Sequence, residues 1–107
     1  MQLAWISLLV AGMCEIGWPI GLKLAQTPGR MVLGIVVAVV CMGASGLFLF
    51  LAQRVIPMGT AYAVWTGIGA AGAFAVGALV YGDPVSLARL AGVGLIIGGV
   101  AVLKLAS

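Results

Sequence analysis

Four apolar stretches, at about residues 3–24, 31–52, 58–80 and 87–103, fill almost the whole of this 107-residue chain. A helix of about 20 residues crosses the hydrocarbon core of a bilayer, so each stretch is long enough or close to it. Little is left over: 64% of the residues are hydrophobic and 7% are charged. A water-soluble domain of this size needs a polar surface, and these residues cannot build one. In lipid, only helices and closed barrels satisfy the backbone, and stretches of this length read as helices. The expected fold is an all-α membrane protein, a single domain over 1–107 with four transmembrane helices. No basic residue precedes the first stretch and a glutamate sits inside it, so it reads as a span and not as a secretory signal.

The connectors carry ordinary punctuation. Gln26-Thr27-Pro28-Gly29 is a turn signal, Pro57-Met58-Gly59 opens the third span, and Gly82-Asp83-Pro84 separates the third from the fourth. Asp83 reads as an exposed turn residue that helps start the fourth helix. The net charge of +3 comes from Lys23, Arg30, Arg54, Arg89 and Lys104, all near helix ends. They read as snorkelling side chains and not as a nucleic-acid surface. With four spans, Arg54 and Lys104 share one side of the membrane, and Lys23, Arg30 and Arg89 share the other. So weak a bias fixes neither orientation, which allows the chain to insert both ways round and pair as an antiparallel homodimer. No internal repeat is evident, so oppositely inserted copies would supply the inverted symmetry that other transporters carry within one chain.

Seventeen glycines are present, most of them inside the spans. Gly94 and Gly98 form a GxxxG pair suited to close helix contact, and they are the expected dimer contact. Gly67, Gly69 and Gly72 weaken the third span midway, where a hinge at Gly67 and Gly69 is expected. Cys14 and Cys41 lie inside spans without metal-ligand spacing and read as small packing residues. The chain has no histidine, which excludes His-based catalysis and His-ligated metals. No enzyme activity, cofactor or metal is expected.

Glu15 is the residue that apolar packing does not explain. It lies about 18 Å along the first helix at 1.5 Å per residue, close to mid-bilayer. Lys23 is about 12 Å further along the same axis and cannot reach it within one helix. A carboxylate there costs several kcal/mol unless it is protonated or meets a cation. It can hold a proton or a cationic ligand but not both, and that exclusion is the minimum machinery of exchange. Trp18 follows one turn later on the same face, and Gly12 leaves room three residues earlier. Tyr62 and Trp65 are an i, i+3 pair on the third span. Trp5 and Tyr81 read as interfacial belt residues. Trp18 and Trp65 are deeper, and either pack in the core or line a cation site. Ser45 either orients a carboxylate or bonds its own helix backbone. Pro19 lacks the N–H that would bond the Glu15 carbonyl, so a local bend is expected there.

At Gly12-Met13-Cys14-Glu15-Ile16-Gly17-Trp18, at Gly21-Leu22-Lys23 and from Pro57 to Gly69 the sequence resembles the small multidrug resistance family, and the likeness runs essentially end to end. Trp18 after Glu15, with Lys104 near the C-terminus, is similar to the guanidinium-exporter branch. The resemblance implies an antiparallel homodimer in the inner membrane that exchanges protons for guanidinium ions. It further implies that Glu15 binds proton and substrate, that Ser45 and Trp18 order the carboxylates, and that Tyr62 and Trp65 line the site. Pro19 departs from the family's usual small aliphatic residue. The chemistry agrees, because guanidinium is planar, weakly hydrated, matched to a carboxylate and stacks on aromatic rings. The rival reading is a polyspecific exporter of quaternary ammonium cations, which offer no N–H donors. A proton-translocating rotor subunit would have no use for Tyr62 and Trp65, and a purely structural subunit gives no reason for Glu15.

Overall fold

The computed structural model describes residues 2–106. Its helices are α1 (Gln2–Ala25), α2 (Met31–Gln53), α3 (Met58–Val80) and α4 (Leu87–Ala106), each long and apolar enough to cross a membrane. Among the described residues there is no strand. The turns form where the sequence places them. Gly29 takes φ 79° between α1 and α2, a conformation that costs glycine nothing. Gly82, at φ 69°, turns the chain at the end of α3 so that the Asp83 N–H donates to the Gly77 carbonyl at 2.9 Å. The start of α4 corrects one expectation. Ser86 is the cap, its Oγ accepting the Arg89 N–H at 3.2 Å, because a cap must stand just before the first turn. Asp83 stands too early and folds back over α3. α1 continues as one helix through Pro19.

α1 lies between α2 and α3, while α4 runs along α3 and reaches α1 through Lys104, over the Trp5 ring. The protomer measures 44 × 34 × 17 Å. A helix with its side chains is about 10–12 Å across, so the molecule is a slab less than two helices thick. Most of its buried core sits at one end, where Trp5 and Leu8 of α1 meet Ala52 of α2, Ile56 just after it, and Ala61 and Val64 of α3. Trp5 is only 6% exposed, with Lys104 Nζ 4.9 Å from its ring centre. The belt reading of Trp5 therefore gives way: the first turns of α1 are wedged between α2 and α3, and the indole fills that wedge.

Lipid gives apolar helices no reason to associate, so close backbone approach and van der Waals contact must hold them together. The α1–α2 contact is built that way. A Cβ at Gly21 would lie 2.5 Å from the Ala38 amide nitrogen and 2.8 Å from the Gly34 carbonyl oxygen. Gly34 in turn sits on the backbone of Ala25 and Gly21. α4 is the opposite case. None of its residues is buried, Leu95 is 78% exposed, and Gly94 and Gly98 have no atom within 4 Å of where a Cβ would stand.

Candidate functional site

Glu15 projects from the middle of α1 toward α3. The Trp18 indole Nε1–H donates to Glu15 Oε1 at 2.7 Å, one helical turn along. That spacing follows from the helix itself, since residues three apart share a face. The Glu15 methylenes lie over Gly69 of α3, where a Cβ would stand 2.5 Å from Glu15 Cγ. Gly69 is therefore the recess that admits the acid. Glu15 is half-buried, and no lysine or arginine pairs with it among the described residues. Four of the five basic side chains are engaged elsewhere: Lys23 lies over Tyr81, Arg54 over Phe50 and Lys104 over Trp5, and Arg89 Nη1 donates to the Pro84 carbonyl. The hydrogen bond from the indole offsets part of the cost of holding a polar group in the membrane.

A second polar group lies beside the acid. Ser45 of α2 is buried, and its hydroxyl donates to the Ala11 carbonyl of α1 at 2.8 Å. The same oxygen accepts the Trp65 indole N–H of α3 at 2.7 Å. One hydroxyl thus joins three helices one turn from Glu15. Ser45 does not bond its own helix backbone, and in this state it does not touch the carboxylate either. Trp65 in turn meets Tyr62, their ring centres 5.2 Å apart and tilted by 49°. Tyr62 is 56% exposed on the open face of the slab.

The remaining expected residues fall as follows. Gly12 is buried, and the Ile68 side chain occupies the space above it. Gly67 and Gly69, two positions apart, face opposite ways: Gly67 toward Val100 and Ile96 of α4, Gly69 toward Glu15. α3 is continuous across both, so its middle is a narrow waist between two neighbours. Sequence reasoning missed Ala11 and Ile68. Ala11 contributes through its backbone, which leaves no trace in residue type. Ile68 looked like any other apolar residue, though its position one turn from Trp65 and Gly72 put it on the α1 side.

The sequence profile of the Small Multidrug Resistance proteins matches residues 3–96 of this chain. The chain belongs to the small multidrug resistance family. Among relatives, a guanidinium exporter of Yersinia pseudotuberculosis is 47% identical over 105 residues, covering 98% of this chain and 100% of that one. A guanidinium exporter of Citrobacter freundii is 46% identical, with 98% of this chain and 99% of the relative covered. A third, from Salmonella typhimurium, stands at the same level. As a member of the small multidrug resistance family, the chain is a multi-pass membrane transporter and not an enzyme.

Proposed function

We infer that this protein exports guanidinium and small substituted guanidinium cations across the inner membrane in exchange for protons, as an antiparallel homodimer. The observation that carries the reading is Glu15: a half-buried carboxyl in mid-span, hydrogen-bonded to Trp18 and unpaired with any described cation. A guanidinium ion presents parallel N–H donors that a carboxylate accepts two at a time, and its flat face stacks on indole or phenol rings. Trp18, Trp65 and Tyr62 supply such rings, and Ser45 supplies a hydroxyl one turn away. The names of the relatives favour the same substrate.

Exchange follows from exclusion. A proton on Glu15 removes the charge that holds the cation, and a bound cation keeps the proton off. Two copies of Glu15 in a dimer would couple two protons to one cation. Each tenfold proton gradient supplies about 1.4 kcal/mol per proton, so two protons support roughly hundredfold accumulation. A dimer also suits the shape: a 17 Å slab leaves Tyr62 and the whole of α4 uncovered. Gly94 and Gly98 are the proposed contact, since small residues at that spacing let helices touch in lipid. Gly67 and Gly69 at the waist of α3 are the proposed hinge.

The test uses purified protein in liposomes, with transport currents recorded for guanidinium and for tetraethylammonium, wild type beside Glu15→Gln. Guanidinium current that the substitution abolishes, with none for tetraethylammonium, is the expected result. Equal currents for the two cations would move the assignment to a quaternary ammonium exporter, and currents that survive Glu15→Gln would remove the mechanism.

A further inference from the structure

Pro19 lies inside α1, one turn after Glu15. In a helix each main-chain carbonyl accepts from the N–H four residues further on. Proline has no N–H, so the carbonyl that loses its helical donor is that of Glu15 itself. No side chain among the described residues replaces it. The side-chain hydrogen bonds on this part of α1 run from Trp18 to the Glu15 carboxyl and from Ser45 to the Ala11 carbonyl. An unbonded carbonyl is costly in the membrane, where no bulk water satisfies it. Its direction follows from the packing of α1. Ile68 over Gly12, Glu15 over Gly69 and Ile16 over Gly72 mark the side of α1 that faces α3, whereas Gly17 meets Cys41 of α2. Pro19 continues the α3-facing stripe, beside Ala73 and Val76. A helical carbonyl points along the axis toward the residue four further on. The open oxygen of Glu15 therefore looks into the α1–α3 seam, on the side where its own carboxyl lies. Glu15 and Pro19 are both half-buried.

We propose that the Glu15 main-chain carbonyl is a second acceptor in the cation site, and that Pro19 is a positioning residue that keeps it open for a guanidinium N–H. This deepens the reading of Glu15 as the substrate-binding carboxyl and rests on it. A carboxylate accepts two N–H groups of a guanidinium side by side. The cation carries further N–H groups on its other edges, and each one left without an acceptor in a water-poor site costs free energy. The carbonyl gives one of them a partner on the same residue as the carboxyl, next to the Trp18 indole. A quaternary ammonium ion has no N–H to offer and leaves the oxygen unpaired. A site built to bond an N–H rejects analogues that lack it more strongly than an apolar pocket sorts by size. Pro19 thereby contributes to the choice between the two classes of cation.

Two measurements test the proposal. Glu15 is the only glutamate of the chain, so glutamate isotope-labelled at one carbon reports a single group. In the first measurement, one sample carries the label at the main-chain carbonyl and another at the side-chain carboxyl. Difference infrared spectra of the protein in lipid are then recorded as guanidinium is added. Both bands should shift, and the carbonyl band should stay still with tetraethylammonium and in Pro19→Ala, whose restored N–H occupies the oxygen. A carboxyl band that responds while the carbonyl band does not would leave Glu15 as the substrate site and overturn this inference alone. If neither band responds, the reading of Glu15 falls and takes the inference with it. In the second, transport is measured against guanidinium concentration. Pro19→Ala should raise KM by roughly tenfold at unchanged maximal rate, the scale of one hydrogen bond to a charged group. A fall in maximal rate with KM unchanged would mean that Pro19 only shapes the helix, and overturns the proposal.

Discussion

The two faces of α1 use small residues for opposite purposes. Toward α2, Gly21 and Gly34 bring backbone against backbone, and an added Cβ would meet main-chain atoms that have nowhere to go. Toward α3, Gly12, Gly69 and Gly72 receive side chains: Ile68, Glu15 and Ile16. The first contact is a weld and the second a set of sockets. Both look alike in the sequence, as glycines in apolar helices. The difference is that a side chain in a socket can leave it, and the group in the central socket is the one acid of the membrane interior. If transport needs one contact that holds and one that yields, these two sides of α1 are the expected pair.

Substitutions separate the two faces. The largest effect is expected on the α2 side. Gly34→Leu places a branched chain into the α1 backbone, and we expect no folded protein, measured as loss of the monodisperse peak on size exclusion after extraction. Recovery of a normal peak would break the contrast. Gly69→Ala comes next. Its Cβ meets Glu15 Cγ at 2.5 Å, a flexible side chain that turns aside, so the protein folds while guanidinium transport falls by about tenfold, equivalent to about 1.4 kcal/mol. A matching loss of folded protein would show that this side is welded too.

Trp18→Phe removes the indole N–H from Glu15 and keeps the ring. Hydrogen bonds to charged groups are worth about 1.5–3 kcal/mol, so guanidinium affinity should fall by roughly tenfold, read from the concentration dependence of transport. Ser45→Ala strands the Trp65 N–H and removes the second bond to the Ala11 carbonyl, which keeps its helical partner, and an unsatisfied buried donor costs about 1–3 kcal/mol. A lower thermal midpoint is expected, because this hydroxyl ties α1, α2 and α3 at once. Cys41→Ala is the smallest change. The thiol only packs near Gly17, and transport and stability should stay within about twofold of wild type.

The four helices were legible because crossing a bilayer demands length and apolarity, and the turns because glycine, proline and aspartate mark them. Glu15 was legible because a lone acid in an apolar span has no structural excuse, and Trp18 because residues three apart share a face. What stayed hidden was which face of each helix meets which neighbour. In water, polarity separates the inside from the outside of a helix, but here lipid-facing and protein-facing surfaces are both apolar and no stripe distinguishes them. That is why Trp5 read as a belt residue and is buried. It is also why Ser45 read as a partner of the acid or of its own backbone, and instead bonds Ala11 and Trp65. α4 shows the same blindness from the other side. Its apolar residues predict burial equally well at every position, and none is buried within the protomer.

In the proposed exchange, one carboxyl group serves hydrogen ions and a flat organic cation in turn. Its most direct measurement is proton release: guanidinium is added to detergent-purified protein in weakly buffered solution, and pH is followed with an indicator dye. Protons should appear in step with binding, guanidinium should bind more tightly as pH rises, and Glu15→Gln should release none. Binding that frees no protons, or the same release from Glu15→Gln, would contradict it.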